Sequence, residues 1–208
     1  MGNKIHPLAG KRPEPDTLCK KEDMEKRYYH PEGLLTPVKN GTSGHRGNTG
    51  AGFSDLHVAA MTQALAEIRK QRGTFGPDPS PAVTSKQTNK RTIEQTNKQM
   101  FVCSNVRFKN SALGPIIMGK DVRFTSDFAQ RTAAEVFAGN GMPVVIQKGD
   151  RSAPTPVISH RIIEKNLKGE RVEGVIITAS HNPPEDAGYK SNGYDGGPNT
   201  RTKPIDEL

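Results

Sequence analysis

The stretch that decides the fold is Val175-Ile176-Ile177-Thr178-Ala179-Ser180-His181-Asn182-Pro183. Three β-branched residues read as a buried strand, and the polar run closed by proline reads as a tight turn. Upstream, Ile116–Met118 is a short apolar strand ending in Gly119-Lys120-Asp121. Ser126 and Asp127 then open a helix that runs to about Ala138 and stops at Gly139 and Gly141. Val144–Ile146 is a further strand, and Thr155 with Pro156 supplies the cap and first turn of a helix through Leu167. Strand, helix, strand, helix, strand predicts an α/β fold: a layered α/β/α domain with a mixed, mostly parallel sheet. Ligands of such sheets sit at the carboxyl ends of strands, which is where Ser180 falls.

Residues 1–33 are polar, charged and broken by proline, so they read as an N-terminal arm carrying one short helix around Glu22–Tyr29. A glycine-rich run follows, Gly41-Thr42-Ser43-Gly44-His45-Arg46-Gly47. Ser54 then caps a helix from Asp55 to about Gln71, with Val58, Met61, Leu65 and Ile68 forming one apolar stripe. The domain is expected over 34–200 and a tail over 201–208. Within the domain, residues 78–114 are rich in Thr, Asn, Gln and Lys and lack periodicity, which is unusual for a connection in a compact domain. Joining Gly76-Pro77 directly to Ile116 would leave an ordinary helix–loop–strand connection. The stretch is therefore expected to be a disordered insertion, with a regulatory or binding loop as the rival reading.

Only 32% of the 208 residues are hydrophobic, while 21 are glycine and 16 proline, so long loops are expected. The net charge of +8 raises the question of a nucleic-acid partner. Much of the excess lies in the low-periodicity stretch, where Lys86, Lys90, Arg91, Lys98, Arg107 and Lys109 face only Asp78 and Glu94. Apart from Phe108 between Arg107 and Lys109, no aromatic residue alternates with these cations, so a solvated surface is expected and no nucleic acid. Cys19 and Cys103 are far apart and lack metal-type spacing, which fits a reduced, cytoplasmic protein. No apolar run reaches membrane-spanning length, and no membrane partner is expected.

Two loops carry candidate chemistry. After the last strand, backbone N–H groups of the turn can hold an anion, and His181 and Lys190 can move protons or offset phosphate charge. A polar turn with Ser180 bonded to its own backbone fits the spacing equally well. The Gly41–Gly47 loop admits close approach of a phosphate, and Arg46 can grip one with two N–H groups. That loop has neither the P-loop nor the dinucleotide spacing.

Taken together, the loops resemble the α-D-phosphohexomutase superfamily. Its Gly-Thr-Ser-Gly-x-Arg-Gly and Thr-Ala-Ser-His-Asn-Pro motifs stand here unbroken and in order. The run from Ser180 to Asn192, with Pro183-Pro184-Glu185-Asp186 and Lys190, is most similar to the glucose-specific, bacterial-type phosphoglucomutase branch, domain I only. The resemblance implies a shift of phosphate between C1 and C6 of glucose through a phosphoserine and glucose 1,6-bisphosphate, the latter also an activator. Ser180 would carry the phosphoryl group and give an oxygen to Mg²⁺. Arg46 and Lys190 would stabilise charge and assist proton transfer, with His181 supporting the loop. Thr42, Ser43, His45, Arg46 and Asn182 would bind phosphate. The family's Asp-x-Asp-x-Asp metal run does not occur in the sequence, so the Mg²⁺ site is expected to be incomplete. A phosphosugar substrate and the missing mutase domains, or a full-length mutase, are the implied partners. Alone, the chain is expected to be weakly active or inactive. The alternatives are a non-catalytic phosphosugar-binding or mutase-interacting fragment, or a phosphomannomutase or phosphoglucosamine mutase domain.

Overall fold

The computed structural model describes residues 10–12, 14, 18–41, 43–74, 100–103, 114–149 and 151–199. Their helices are α1 (Lys21–Tyr29), α2 (Asp55–Thr74), α3 (Phe124–Gly139) and α4 (Thr155–Leu167). Their strands are β1 (Asn40–Gly41), β2 (Gly44–Asn48), β3 (Met100–Cys103), β4 (Ile116–Lys120), β5 (Val144–Gln147), β6 (Glu173–Ile177) and β7 (Asp186–Asn192). All seven join one sheet in the order β1-β2-β7-β6-β4-β5-β3.

Alternation along the central strands builds two cores, as a pleated strand requires. Ile116 and Met118 of β4, with Val175 and Ile177 of β6, pack against Tyr28, Phe53, Leu65 and Phe137 on one face, which α1, α2 and α3 cover. Ile117 and Ile176 point to the other face, where they meet Ile158 and Ile162 of α4. The α/β/α layering expected from the sequence follows from this split. β4 is parallel to both β5 and β6. The other pairings, β1–β2, β2–β7, β6–β7 and β3–β5, are antiparallel. Parallel pairing is thus confined to the three strands whose helical alternation was legible in the sequence.

Several boundaries shift for local reasons. Helix α3 begins at Phe124, before Ser126, because the Asp121 carboxylate accepts from Arg123 N–H (3.0 Å) and from the Ser126 hydroxyl (2.6 Å) and so organises its first turn. In α4, Pro154 occupies the cap position and Thr155 is already helical. At the start of α2, His57 Nδ1 accepts from Ser54 N–H (3.2 Å) and the Ser54 hydroxyl (2.9 Å), so the imidazole takes the place that glutamate holds in the back-bonding half of a capping box. The expected helix near the N-terminus is α1, and it is docked: Tyr28 is fully buried and its hydroxyl donates to Thr132 on α3 at 3.0 Å. Of the 78–114 stretch, Met100–Cys103 forms the β3 edge strand, an element not expected there, and Gly114 leads into β4. The remainder of that stretch, with the disorder expected of it, and the 201–208 tail lie outside the described residues.

Glu173 on β6 is an acidic residue inside the first core. Its carboxylate meets Arg69 Nε at 2.7 Å and Arg72 Nη1 at 2.8 Å, both on α2. Glu173 and Arg69 are each 1% exposed. Burial pulls the Arg69 pKa down and the Glu173 charge pushes it back up. Removing one partner of such a pair strands the other charge in the interior. Glu173→Ala should therefore lower the unfolding free energy by about 3–5 kcal/mol, read from the midpoint shift in a urea titration.

Candidate functional site

The site is assembled where β6, β7 and β2 end against one another. After Ile177 the chain turns at Ser180, whose φ of 61° lies in the left-handed region. A non-glycine residue is held there only when its surroundings over-determine it. Ser180 N–H donates to Thr178 Oγ1 at 2.9 Å, and Lys190 Nζ donates to Ser180 Oγ at 2.6 Å. Lys190 reaches Ser180 because β7 returns antiparallel along β6, with Lys190 opposite Ile176 and Tyr189 opposite Ile177. The return begins where Gly188 crosses Thr178: Thr178 N–H donates to Gly188 O at 2.8 Å, and a Cβ on Gly188 would lie 2.4 Å from Thr178 O.

Strand β2 brings the second loop to the same place. Gly44, at φ 85°, passes so close to β7 that an added Cβ would stand 2.2 Å from Tyr189 O and 2.9 Å from Lys190 Cα. Arg46, opposite Gly188 in the register, reaches across to the serine loop. Its Nη2 donates to Ser43 Oγ (2.9 Å) and its Nη1 to Asn182 Oδ1 (3.4 Å). Asn182 Nδ2 in turn donates to Asp186 Oδ2 at 2.9 Å. A groove of about 410 Å³ opens beside these groups, lined by Ser180, Asn182, Asp121, Arg123 and Phe124 among others.

Lys190 is buried. Burial, and then the Arg46 charge, hold its ammonium below the ordinary lysine value, while Asp121 pulls the other way. A lysine so placed gives up its proton more readily than a surface one, and the exposed serine hydroxyl is its hydrogen-bond partner.

Of the residues expected at this site, Ser180, Lys190, Arg46, Ser43 and Asn182 come together. His181 adjoins Ser180 in the chain but is exposed, and Thr42 lies outside the described residues. His45, expected with them, does not join this cluster. Neighbouring residues of a strand face opposite ways, so with Arg46 toward the serine loop His45 turns into the core. It is 3% exposed there, bonded through Nε2 to Gly52 O (2.9 Å) and through Nδ1 to the Lys39 backbone (3.1 Å), and stacked on Phe53 and His57. Arg123 and Asp121 were not singled out in the sequence. Both follow β4 at its carboxyl end, the same placement that marks Ser180, and that placement is the signal that could have found them.

A resident metal is a separate question. Among the described residues no group of three or more His, Cys, Asp or Glu side chains is placed to hold a metal ion. The oxygen expected to serve Mg²⁺ is one of a phosphate carried on Ser180, whose own Oγ accepts from Lys190 Nζ. The described side chains do not by themselves make up a Mg²⁺ site, and no step is routed through it.

Residues 81–207 match the family "Phosphoglucomutase/phosphomannomutase, alpha/beta/alpha domain I". A phosphoglucomutase of Komagataeibacter xylinus is 35% identical over 201 residues, which take in 93% of this chain and 29% of that protein. A Haemophilus influenzae protein assigned as a phosphomannomutase is 43% identical over 75 residues, 36% of this chain and 14% of its own length. A Nostoc phosphoglucosamine mutase is 36% identical over 101 residues, 48% of this chain and 19% of its own. Among solved structures, a Thermus thermophilus protein assigned as a phosphomannomutase superposes with a TM-score of 0.57 at 25% identity, over 84% of this chain and 30% of the other. The fold is that of an α/β/α domain I, and the chain belongs to the phosphoglucomutase/phosphomannomutase family. It spans less than a third of the length of these relatives.

Two outcomes follow from this geometry. Gly44→Ala forces a Cβ against β7 in a backbone conformation that costs an L-residue about 1–2 kcal/mol by itself, so its melting temperature should fall and the Lys190 environment should change in NMR spectra. His45 is held below the ordinary histidine pKa, first by burial. The unfolded imidazole, near pH 6.5, therefore takes a proton before the folded one does. Its contribution to stability is complete above that pH and is lost as pH falls from there toward the depressed folded value. A His45→Gln chain should lose less stability than the wild type between pH 7 and 5, measured by urea unfolding at each pH.

Proposed function

We propose that Ser180 is a phosphoryl carrier and that the domain serves the interconversion of glucose 1-phosphate and glucose 6-phosphate through glucose 1,6-bisphosphate. The observation that carries this reading is the 2.6 Å contact between Lys190 Nζ and Ser180 Oγ, with Arg46 anchored beside it on Ser43 and Asn182. Phosphoryl transfer asks mainly for positioning and positive charge around the equatorial oxygens. Two cations of different kind meet that need: Arg46 is a planar fork that suits two phosphate oxygens, and Lys190 is a point charge with a mobile proton.

In the transfer, the phosphorus–oxygen bond to the sugar breaks as the bond to Ser180 Oγ forms. The serine proton leaves by way of neutral Lys190 and ends on the released sugar oxygen. The reverse transfer uses the charged lysine as donor. Since burial and Arg46 lower the Lys190 pKa, the neutral form becomes accessible below the pH of an ordinary lysine, so acceptance of phosphate by Ser180 should rise with pH toward that value. Glucose is favoured as the sugar because, in sequence, the Komagataeibacter phosphoglucomutase matches 93% of the chain, whereas the Haemophilus phosphomannomutase and the Nostoc phosphoglucosamine mutase match under half. The proposal for this chain alone is phosphate acceptance at Ser180 with weak turnover or none.

The test is incubation with glucose 1,6-bisphosphate and Mg²⁺, read by intact mass and peptide mapping. One phosphate on Ser180 is expected, absent from Ser180→Ala and strongly reduced in Lys190→Met. A label that persists in Ser180→Ala, or a wild-type chain that takes none, overturns the assignment of Ser180.

A further inference from the structure

Ser180 sits on a turn with two backbone bonds of its own, Asn182 N–H to Ala179 O (3.3 Å) and Asp186 N–H to Pro183 O (3.1 Å), and these leave most of its carbonyls to other donors. Pro183 and Pro184 have no N–H to offer, yet the carbonyls of Ser180, Asn182, Pro183 and Asp186 all converge on one side chain. Arg123 Nη2 donates to Ser180 O (3.2 Å) and Asn182 O (2.7 Å). Its Nη1 donates to Asp186 O (3.1 Å) and to Pro183 O. The remaining donor, Nε, goes to Asp121 Oδ2 at 3.1 Å. A guanidinium has five N–H groups, and all five are engaged. The side chain is 11% exposed, so little of it is left for solvent or a ligand.

The guanidinium is itself aimed. Asp121 fixes its plane through Nε, and Asp121 is held by the Arg123 backbone N–H and the Ser126 hydroxyl at the first turn of α3. Asp121 N–H in turn donates to Ile177 O at 3.0 Å, tying the end of β4 to the end of β6. The chain of contacts runs from two adjacent parallel strands and a helix start, through one side chain, into the turn that bears Ser180. Because the Ser180–His181 peptide is planar and trans, fixing its carbonyl on Arg123 directs the His181 N–H away from the guanidinium. It also helps keep Ser180 in its left-handed conformation.

We propose that Arg123 is a positioning residue, which holds the Ser180 loop in the shape that presents Oγ to an incoming phosphoryl group without touching that group. This rests on the reading of Ser180 as carrier. Charge alone would not hold the loop, because a lysine has three donors on one nitrogen and no plane. It cannot serve four carbonyls and a carboxylate at once.

The experiment compares wild type, Arg123→Lys and Arg123→Ala as full chains. Hydrogen exchange of the peptide spanning 178–188, the rate of phosphate addition from glucose 1,6-bisphosphate, and thermal melting are measured together. In Arg123→Lys the loop should lose protection while the strands of the core keep theirs, and phosphate addition should slow about 10- to 100-fold, the usual penalty for an ångström-scale misplacement. Millimolar guanidinium chloride should restore both protection and rate to Arg123→Ala and do neither for Arg123→Lys. Unchanged loop protection and rate in Arg123→Lys would overturn the proposal, as would a loss spread evenly over the whole chain that guanidinium does not repair. Should the wild type take no phosphate, the carrier assignment fails and the positioning role is decided by exchange and guanidinium rescue alone.

Discussion

The antiparallel return of β7 along β6 is the constraint on which the serine loop depends. Register places Lys190 across from Ile176, and the nine residues between Ser180 and Lys190 are just enough to turn and come back. Shifting that pairing by one residue would exchange the faces of the whole strand. Lys190 would then point into the core with Tyr189's neighbours, and Tyr189, whose hydroxyl accepts from Thr62 at 3.2 Å on α2, would point outward. The apolar and polar partners of β7 on its two sides thus lock the lysine to the serine. Gly188 and Gly44 are glycine because the turn and the neighbouring hairpin must both pass within contact distance of that strand.

Three cations gather at the serine loop, and the structure gives them different work. Arg123 is saturated by carbonyl oxygens and one carboxylate, so its charge is neutralised locally and its geometry is spent on the backbone. Arg46 and Lys190 have fewer fixed partners and face the serine. Asp121 is the one carboxylate that bears on both sets: it orients Arg123 directly and, through space, opposes the depression of the Lys190 pKa. A site organised this way keeps two positive groups available for an anion while a third maintains the shape they act on.

The central alternation of strands and helices was readable because β4, β5 and β6 are short apolar runs and α2, α3 and α4 carry stripes at helical spacing. The flanking strands were not readable, for physical reasons. β2 is Gly-His-Arg-Gly-Asn and β7 is Asp-Ala-Gly-Tyr-Lys-Ser-Asn. Neither has the β-branched content that marks a strand, since their positions are taken by glycines for close approach and by polar groups for the site. The same two motifs that hid the strands singled out Ser180, Arg46 and Lys190, which the fold brings together. They misplaced His45, because a motif gives residues in a row and only pairing into a strand sends alternate ones to opposite faces. Arg123 escaped notice because its partners are carbonyl oxygens, which leave no trace in a sequence.

The stretch from 78 to 114 carries a related lesson about edges. Cutting it out yields a plausible connection from α2 to β4, and by sequence alone it looks dispensable. Yet Met100–Cys103 pairs residue for residue with Val144–Gln147, from Cys103 opposite Val144 to Met100 opposite Gln147. Without those four residues β5 would become the edge of the sheet, with one row of backbone N–H and C=O groups unpaired beside an apolar Val-Val-Ile run, the kind of edge that invites pairing with another chain. The family match also begins inside the stretch, at residue 81. A polar segment without periodicity can therefore still contribute one short strand, and four residues of the right register suffice to cover the apolar β5 and become the edge in its place.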